Sequence, residues 1–401
     1  TGFDPDARGF NGGNATVYAL TVSGSTIYAA GYFGEIGGQP RVSIAALDAA
    51  TGTATAWDPS AHLGTGPGVV ETLAVSGSTI YAGGAFNSIG GQTRNSLAAL
   101  SAADGTATAW NPNPNSEVAA LLVSGGLVYA GGFFTSIGGE PRNKIAAIDA
   151  SDGTATSWDP DATANANVLA LALSGSTIYA GGNFPSIDGV PRKNIAGIRV
   201  GDGTPTEFDP QAGDPTTGGG VHALAVHGSI VYAAGFFSTI GGQTRHLLAG
   251  LDAFDGSATG FDPHGAPGFG AFALAVATDG TLYAGGSFRT FDLASQSGFA
   301  QFTFAPTVVA LTSFRAQRKR AGVHVTWRTA GESGTLGFNV YRSRSGRWER
   351  VNRALVPARG RATGAFYALT DRRRGGASYR LEVVALDGSR RWRGTAHVPQ
   401  R

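Results

Sequence analysis

From residue 16 to residue 304 the chain is a succession of short runs in which apolar and β-favouring residues alternate with small or polar ones, each run bounded by Gly, Ser, Asn or Asp. That pattern predicts strands. Between residues 70 and 110 it gives four, at 70–75, 79–84, 96–102 and 106–110. The first two are joined through Ser76-Gly77-Ser78 and the last two through Asp104-Gly105, a pair suited to the positive φ of a tight hairpin. The expected unit is a four-stranded antiparallel meander.

The unit recurs. Tyr-Ala-(Ala or Gly)-Gly begins at Tyr28, Tyr81, Tyr129, Tyr179, Tyr232 and Tyr283, and a Phe stands five positions after each Tyr. Six copies of about 50 residues with four strands each are the signature of propeller blades, which bury their apolar faces only against neighbouring blades. The last strand of five copies ends in an aromatic residue followed by Asp/Asn-Pro, as in Trp57-Asp58-Pro59, Trp110-Asn111-Pro112 and Trp158-Asp159-Pro160. The sixth copy lacks this ending, and Phe3-Asp4-Pro5 stands at the start of the chain. The N-terminal strand is therefore expected to complete the sixth blade and close the ring, leaving no exposed sheet edge.

The phrase Gly-x-Phe-x-x-Ile-Gly-Gly-Gln-Pro/Thr-Arg, followed by an apolar strand and Asp-Gly-Thr-x-Thr-x-Trp, as at 84–110, resembles the delta-sixty type of bacterial β-propeller repeat. The resemblance implies a secreted or cell-surface protein and no particular enzyme activity. The sixth copy departs from it, with Asp292-Leu293 in place of Gly-Gly or Asp-Gly and Gln296 in place of Arg.

Beyond residue 304 the period stops. Seven short strands are expected at 308–315, 323–327, 337–342, 348–352, 365–369, 378–385 and 391–396, and Trp327, Tyr341 and Tyr379 resemble the core aromatics of a fibronectin type III domain. The expected fold is all-β: a six-bladed β-propeller over 1–304, closed by the N-terminal strand, followed by a fibronectin type III-like β-sandwich over 305–401.

Composition sharpens this. With 62 Gly and 18 Pro among 401 residues the chain is turn-rich, and the absence of Cys excludes disulfides and Cys-ligated metals. There is no Met, so Thr1 is not a translation start, and the expectation is an N-terminal segment removed as a signal peptide is. No apolar run approaches the ~18 residues of a membrane span. The net charge of +2 conceals a division: residues 1–304 carry 10 basic and 23 acidic side chains, residues 305–401 carry 20 and 5.

Candidate chemistry falls into four groups. Arg41, Arg94, Arg142, Arg192 and Arg245 recur once per blade; they suit an anionic ligand, or structural pairing with the Asp after each fourth-strand aromatic. At one inner-strand position the copies disagree, carrying Tyr18, Glu71, Ala119, Leu169, His222 and Phe272. Glu71 and His222 there are the candidate acid and base, although no third group aligns with them. The irregular connections between blades, which carry His62, Asp161, Asp214 and His264, form a candidate binding face without metal-ligand spacing. Finally, Arg318, Lys319, Arg320, Arg372, Arg373 and Arg374 make the C-terminal part an interaction surface, for acidic glycans or for an acidic propeller in the same or the next subunit.

The expected function is that of a non-enzymatic bacterial protein, secreted or on the cell surface, with a structural or adhesive role. The propeller would serve as display platform and the basic sandwich as attachment or assembly module, without cofactor, metal, nucleic acid or membrane span. The alternative is a carbohydrate-binding or carbohydrate-processing propeller.

Overall fold

The computed structural model describes residues 3–163, 166–214, 219–265, 270–291, 294–303, 308–333, 335–344, 347–359, 364–373, 378–385 and 390–398. The protein is all-β, with a single short 3-10 turn at Phe10–Gly12 among the described residues. By its contacts it divides into two compact units, Thr1–Thr206 and Glu207–Arg401. The first holds four repeats and the second holds two repeats followed by the C-terminal sheets. The period in the sequence ends near 304, whereas the contact division falls between the fourth and fifth repeats.

Each repeat is a three-stranded antiparallel sheet with a small hairpin beside it. In the second repeat Thr79–Ala85 lies between Val69–Ser76 and Leu97–Ser101, and Ser88–Ile89 pairs with Gln92–Thr93. The fourth strand expected at 106–110 is not a strand. It makes one bridge, Leu100↔Ala107, and the same single bridge recurs at Leu47↔Ala54, Ile148↔Ala155, Ile198↔Pro205 and Leu251↔Ala258. The reason is a division of its backbone partners: Thr108 N–H donates to Ala99 O, while Ala107 N–H goes to Gly90 O of the hairpin. A segment shared between two neighbours cannot extend a ladder along either.

Successive repeats of the first unit share their cores. Tyr28, Ile44 and Trp57 of the first repeat pack with Val70, Ile80 and Phe86 of the second, and the pattern repeats into the third and fourth. The indole Nε1–H of Trp57 donates to Ser101 O, that of Trp110 to Asp149 O and that of Trp158 to Arg199 O, each 2.8–2.9 Å away in the next repeat. These tryptophans are buried between repeats, which uses their apolar bodies and satisfies their polar ends.

In the second unit, Val308–Lys319, Gly322–Ser333 and Phe366–Asp371 form one sheet. Arg347–Arg350, Thr335–Arg344, Ser378–Ala385 and Arg390–His397 form another, with Val356–Pro357 added to it. Val325, Trp327, Phe338, Val340, Tyr367, Tyr379 and Leu381 from both sheets make a single core. Tyr341 is not in it. Along Thr335–Arg344, Phe338, Val340 and Arg342 are buried, so the period of two turns Tyr341 outward, where its hydroxyl reaches Glu382. Arg342 is tolerated inside because Asp371 and Glu349 flank it at 3.3 and 2.8 Å. A further core joins the fifth and sixth repeats to the C-terminal strands through Leu336, Leu355 and Val384. No described helix is long and apolar enough to cross a membrane.

Candidate functional site

The position at which the copies disagree has a structural identity that the sequence does not reveal. In all six repeats it is the extra residue of a β-bulge between the first and second strands. In the second repeat Val70 pairs with Gly84 and Thr72 with Gly83, leaving Glu71 without a partner; Tyr18, Ala119, Leu169, His222 and Phe272 are skipped in the same way. The final glycine of the Tyr-Ala-(Ala or Gly)-Gly motif makes this possible. A Cβ at Gly31, Gly84, Gly132, Gly182, Gly235 or Gly286 would lie 2.0–2.3 Å from the facing carbonyl oxygen two residues before the bulge, so the backbone approach admits only Gly. The third motif position is less confined, its nearest neighbours at Gly83 and Gly131 being side chains at 2.7–2.8 Å, and Ala30 and Ala234 occupy it in two copies. Bulges re-aim side chains, and here six differing side chains share one re-aimed position.

Glu71 lies in the first unit and is brought beside Glu117, which stands two residues before the third repeat's bulge. Partial burial, then the charge and hydrogen bonding of Glu117, push the Glu71 carboxyl up to about 8. The sequence reading missed Glu117; its signal is a charge where the other copies have Thr, Val, Asn and Gly. His222 lies in the second unit among aromatic rings, edge-on to Phe236 at 5.4 Å and to Phe272 at 5.3 Å, and burial lowers its pKa.

The five repeated arginines occupy equivalent settings. Arg142 donates from one terminal nitrogen to Pro141 O at 2.7 Å and from the other to Thr156 O at 2.6 Å. Arg41, Arg94, Arg192 and Arg245 grip the corresponding pairs of carbonyls. Each fork ties the small hairpin to the segment before the aromatic residue, 14 positions on. The Asp after that aromatic adds an ion pair at 3.9 Å for Arg41, 3.6 Å for Arg142 and 3.0 Å for Arg245.

The connections between repeats are ordered where described. Ser60, Asn113, Asp161, Gln211 and His264, each following an Asp/Asn-Pro, have positive φ, and His62–Leu63 forms a hairpin with Gly66–Pro67. Asp161 accepts from Asn143 Nδ2, His264 faces Asp262 at 3.6 Å, and Asp214 is half-buried. In the C-terminal part Arg318, Lys319 and Arg320 are exposed at the turn between its first two strands, and Arg372 and Arg373 are exposed after Asp371. Arg374 lies outside the described residues, as does Asp292-Leu293 of the sixth copy. Gln296 is described and its Oε1 is buried without a partner. No group of three His, Asp or Glu side chains among the described residues could hold a metal ion.

No family model matches the chain, and no curated protein does. Solved structures resemble it at low identity. The computationally designed Ika8 protein is 15% identical, with 97% of this chain and 99% of that one covered and a TM-score of 0.45. Dihydro-heme d1 dehydrogenase NirN in complex with DHE is 11% identical over 88% of this chain and 59% of that one, with a TM-score of 0.42. The WD40 β-propeller domain of Doa1 is 10% identical over 84% and 93%, with a TM-score of 0.35.

Proposed function

We propose that the chain is a non-enzymatic bacterial structural or adhesion protein, secreted or on the cell surface. Its delta-sixty type repeats, over 1–304, form a closed six-bladed propeller that displays binding positions. A basic fibronectin type III-like sandwich, over 305–401, serves attachment or assembly. The observation that carries this reading is the split between constant and variable residues. The recurring Arg side chains of five copies and the Trp side chains of three are held by backbone carbonyls, while the side chains that differ are presented at six equivalent bulges. A scaffold with a varied display has that economy.

Closure draws support from the N-terminal segment. Pro5 O accepts from Gly37 N–H at 2.6 Å and Asp6 has φ 41°, as Pro59 O accepts from Gly90 N–H at 2.7 Å and Ser60 has φ 38°. Phe3-Asp4-Pro5 thus meets the first repeat as Trp57-Asp58-Pro59 meets the second. For the sandwich, the support is the pair of facing sheets with Trp327 between them.

Light scattering of the intact protein over an ionic-strength series tests the assembly role. Opposed charges in the two parts predict large assemblies at low salt that dissolve as salt screens them. A monomer at every ionic strength overturns it. The Glu71–Glu117 pair favours one second reading, a carbohydrate-processing site with a protonated carboxyl as acid. Hydrolysis of an oligosaccharide that is lost in Glu71→Gln with no fall in melting temperature would establish that reading in place of the first.

A further inference from the structure

We infer a separate binding site for an acidic oligosaccharide in the second unit, at a cleft of about 920 Å³ between the fifth repeat and the C-terminal sheet. Its sequence signal is Phe254. The turn after each repeat's third strand carries a small residue at this position, Ala50, Ala103, Ser151 and Gly201 in the first four copies; the fifth has a Phe that is 56% exposed. The ring that replaces four small residues at this turn lines the cleft.

The C-terminal sheet supplies the other wall. The Arg350 guanidinium lies over the Phe254 ring at 5.6 Å and is held from behind by the buried carboxylate of Asp252 at 3.5 Å. Tyr341 is the cross-strand partner of Arg350 and lines the same cleft. Next to Tyr341 stands Trp392, edge-on at 5.0 Å and 50% exposed, and Arg380 lies between Trp392 and Trp348 at 5.8 and 4.4 Å from the two rings. Aromatic rings and guanidinium groups therefore run together from the cleft onto the open face of the sheet. The volume is in the range of ligand sites, about 300–1,000 Å³.

Ring-shaped ligand units with apolar faces would stack on Phe254 and Trp392, and their anionic groups would pair with the exposed Arg353 and Arg373 at the rim. Acceptors decide between two classes of polymer. Glu207 and Asp255 also line the cleft. These carboxylates accept hydrogen bonds from hydroxyls, which a saccharide carries along its length and a DNA strand does not, so a polymer that is both hydroxyl-rich and anionic, such as a uronic-acid saccharide with its own carboxylates on the arginines, fits where DNA does not. Arg373 belongs to the basic surface expected from the sequence; Phe254, Tyr341 and Trp392 do not.

The inference stands apart from salt-dependent assembly, and either can fail alone. Calorimetric titration of the intact protein with oligogalacturonate, a neutral cello-oligosaccharide of equal length and oligodeoxythymidylate tests it. The expected result is binding of oligogalacturonate only, weakened about tenfold by each of Phe254→Ala, Arg353→Ala and Trp392→Ala, with melting temperatures unchanged because these side chains are exposed. Failure of oligogalacturonate to bind overturns the inference, as does binding indifferent to all three variants. Tighter binding of oligodeoxythymidylate overturns it in favour of a single-strand nucleic-acid site.

Discussion

At the scale of the residue, the bulge glycine and the bulge side chain make opposite predictions. Gly84 faces Val69 O so closely that an added Cβ would sit 2.2 Å from it. Gly84→Ala must push two paired strands apart, at about 1–3 kcal/mol or more, and denaturant melts of the variant should show the loss. A Cβ at Gly83 would meet the Thr72 and Val118 side chains at 2.8 and 2.9 Å and Val118 O at 3.0 Å, none as close as Val69 O is to Gly84, and the first and fifth repeats already carry Ala there, so the cost of Gly83→Ala should be the smaller. Glu71 gives a pH dependence. Its folded pKa of about 8 lies above a carboxyl's ordinary value of 4.5. The folded state therefore holds the proton more tightly, and stability from this group is full below about pH 4.5 and is lost as pH rises towards 8. Glu71→Gln removes the charge, so its melting temperature should exceed the parent's by a few degrees at pH 9 and match it at pH 4.5. A difference that is equal at both pH values would show that the carboxyl is not perturbed. The sequence marks position 71 as variable, but a bulge leaves the alternation intact on each side of it, so the bulge is not visible, and Glu117 shows only as a lone charge at a position uncharged in the other copies.

At the scale of the element, the arginine fork replaces a strand. The alternation Thr-x-Thr-x-Trp at 106–110 has the period of a β-strand, and the sequence reading took it for one. What the pattern does not record is who holds the backbone: Gly90 takes one amide and Arg94 takes Thr108 O. The same reasoning explains Tyr341, whose outward direction follows from counting twos from Phe338, and whose neighbour Arg342 hides the period because a buried, paired charge reads as surface. The first three strands of each repeat and the tight turns are legible, since each rests on local chemistry. If the forks hold the hairpins, Arg142→Ala should destabilise the first unit by about 1.5–3 kcal/mol, the worth of charged hydrogen bonds. Arg142→Lys should rescue little, because a point ammonium cannot span the two carbonyls. Thermal unfolding of both variants is the measurement. Unchanged stability, with loss of binding to an anionic ligand, would return these residues to the role of a binding ring.

At the scale of the whole molecule, the proposed closure of the ring bears on the first inner strand. In the first unit the first strand of each later repeat packs on that of the preceding repeat, and half-buries residues such as Leu73 and Val75 by doing so. Thr16–Ser23 has no preceding repeat in its unit, and Tyr18, Leu20 and Val22 are 54, 66 and 64% exposed. Three apolar side chains on alternate positions of one strand are what a sixth blade would cover, and an uncovered strand of this kind is an aggregation hazard. A closed ring makes Leu20 a partly buried residue, for which full burial is worth about 1.5–3 kcal/mol, and a carboxylate placed there would have to leave the interface or be desolvated. Leu20→Asp should then lower the melting temperature of the intact protein by several degrees and speed amide exchange over 16–23. Val190→Asp, at an exposed hairpin position, should change neither and serves as the control. An open arrangement predicts the reverse for Leu20: the Asp variant melts with the parent and is the more soluble of the two. The substitution thus separates a ring, in which the N-terminal segment and the first inner strand both serve the sixth repeat, from an arc whose apolar end is free for another partner.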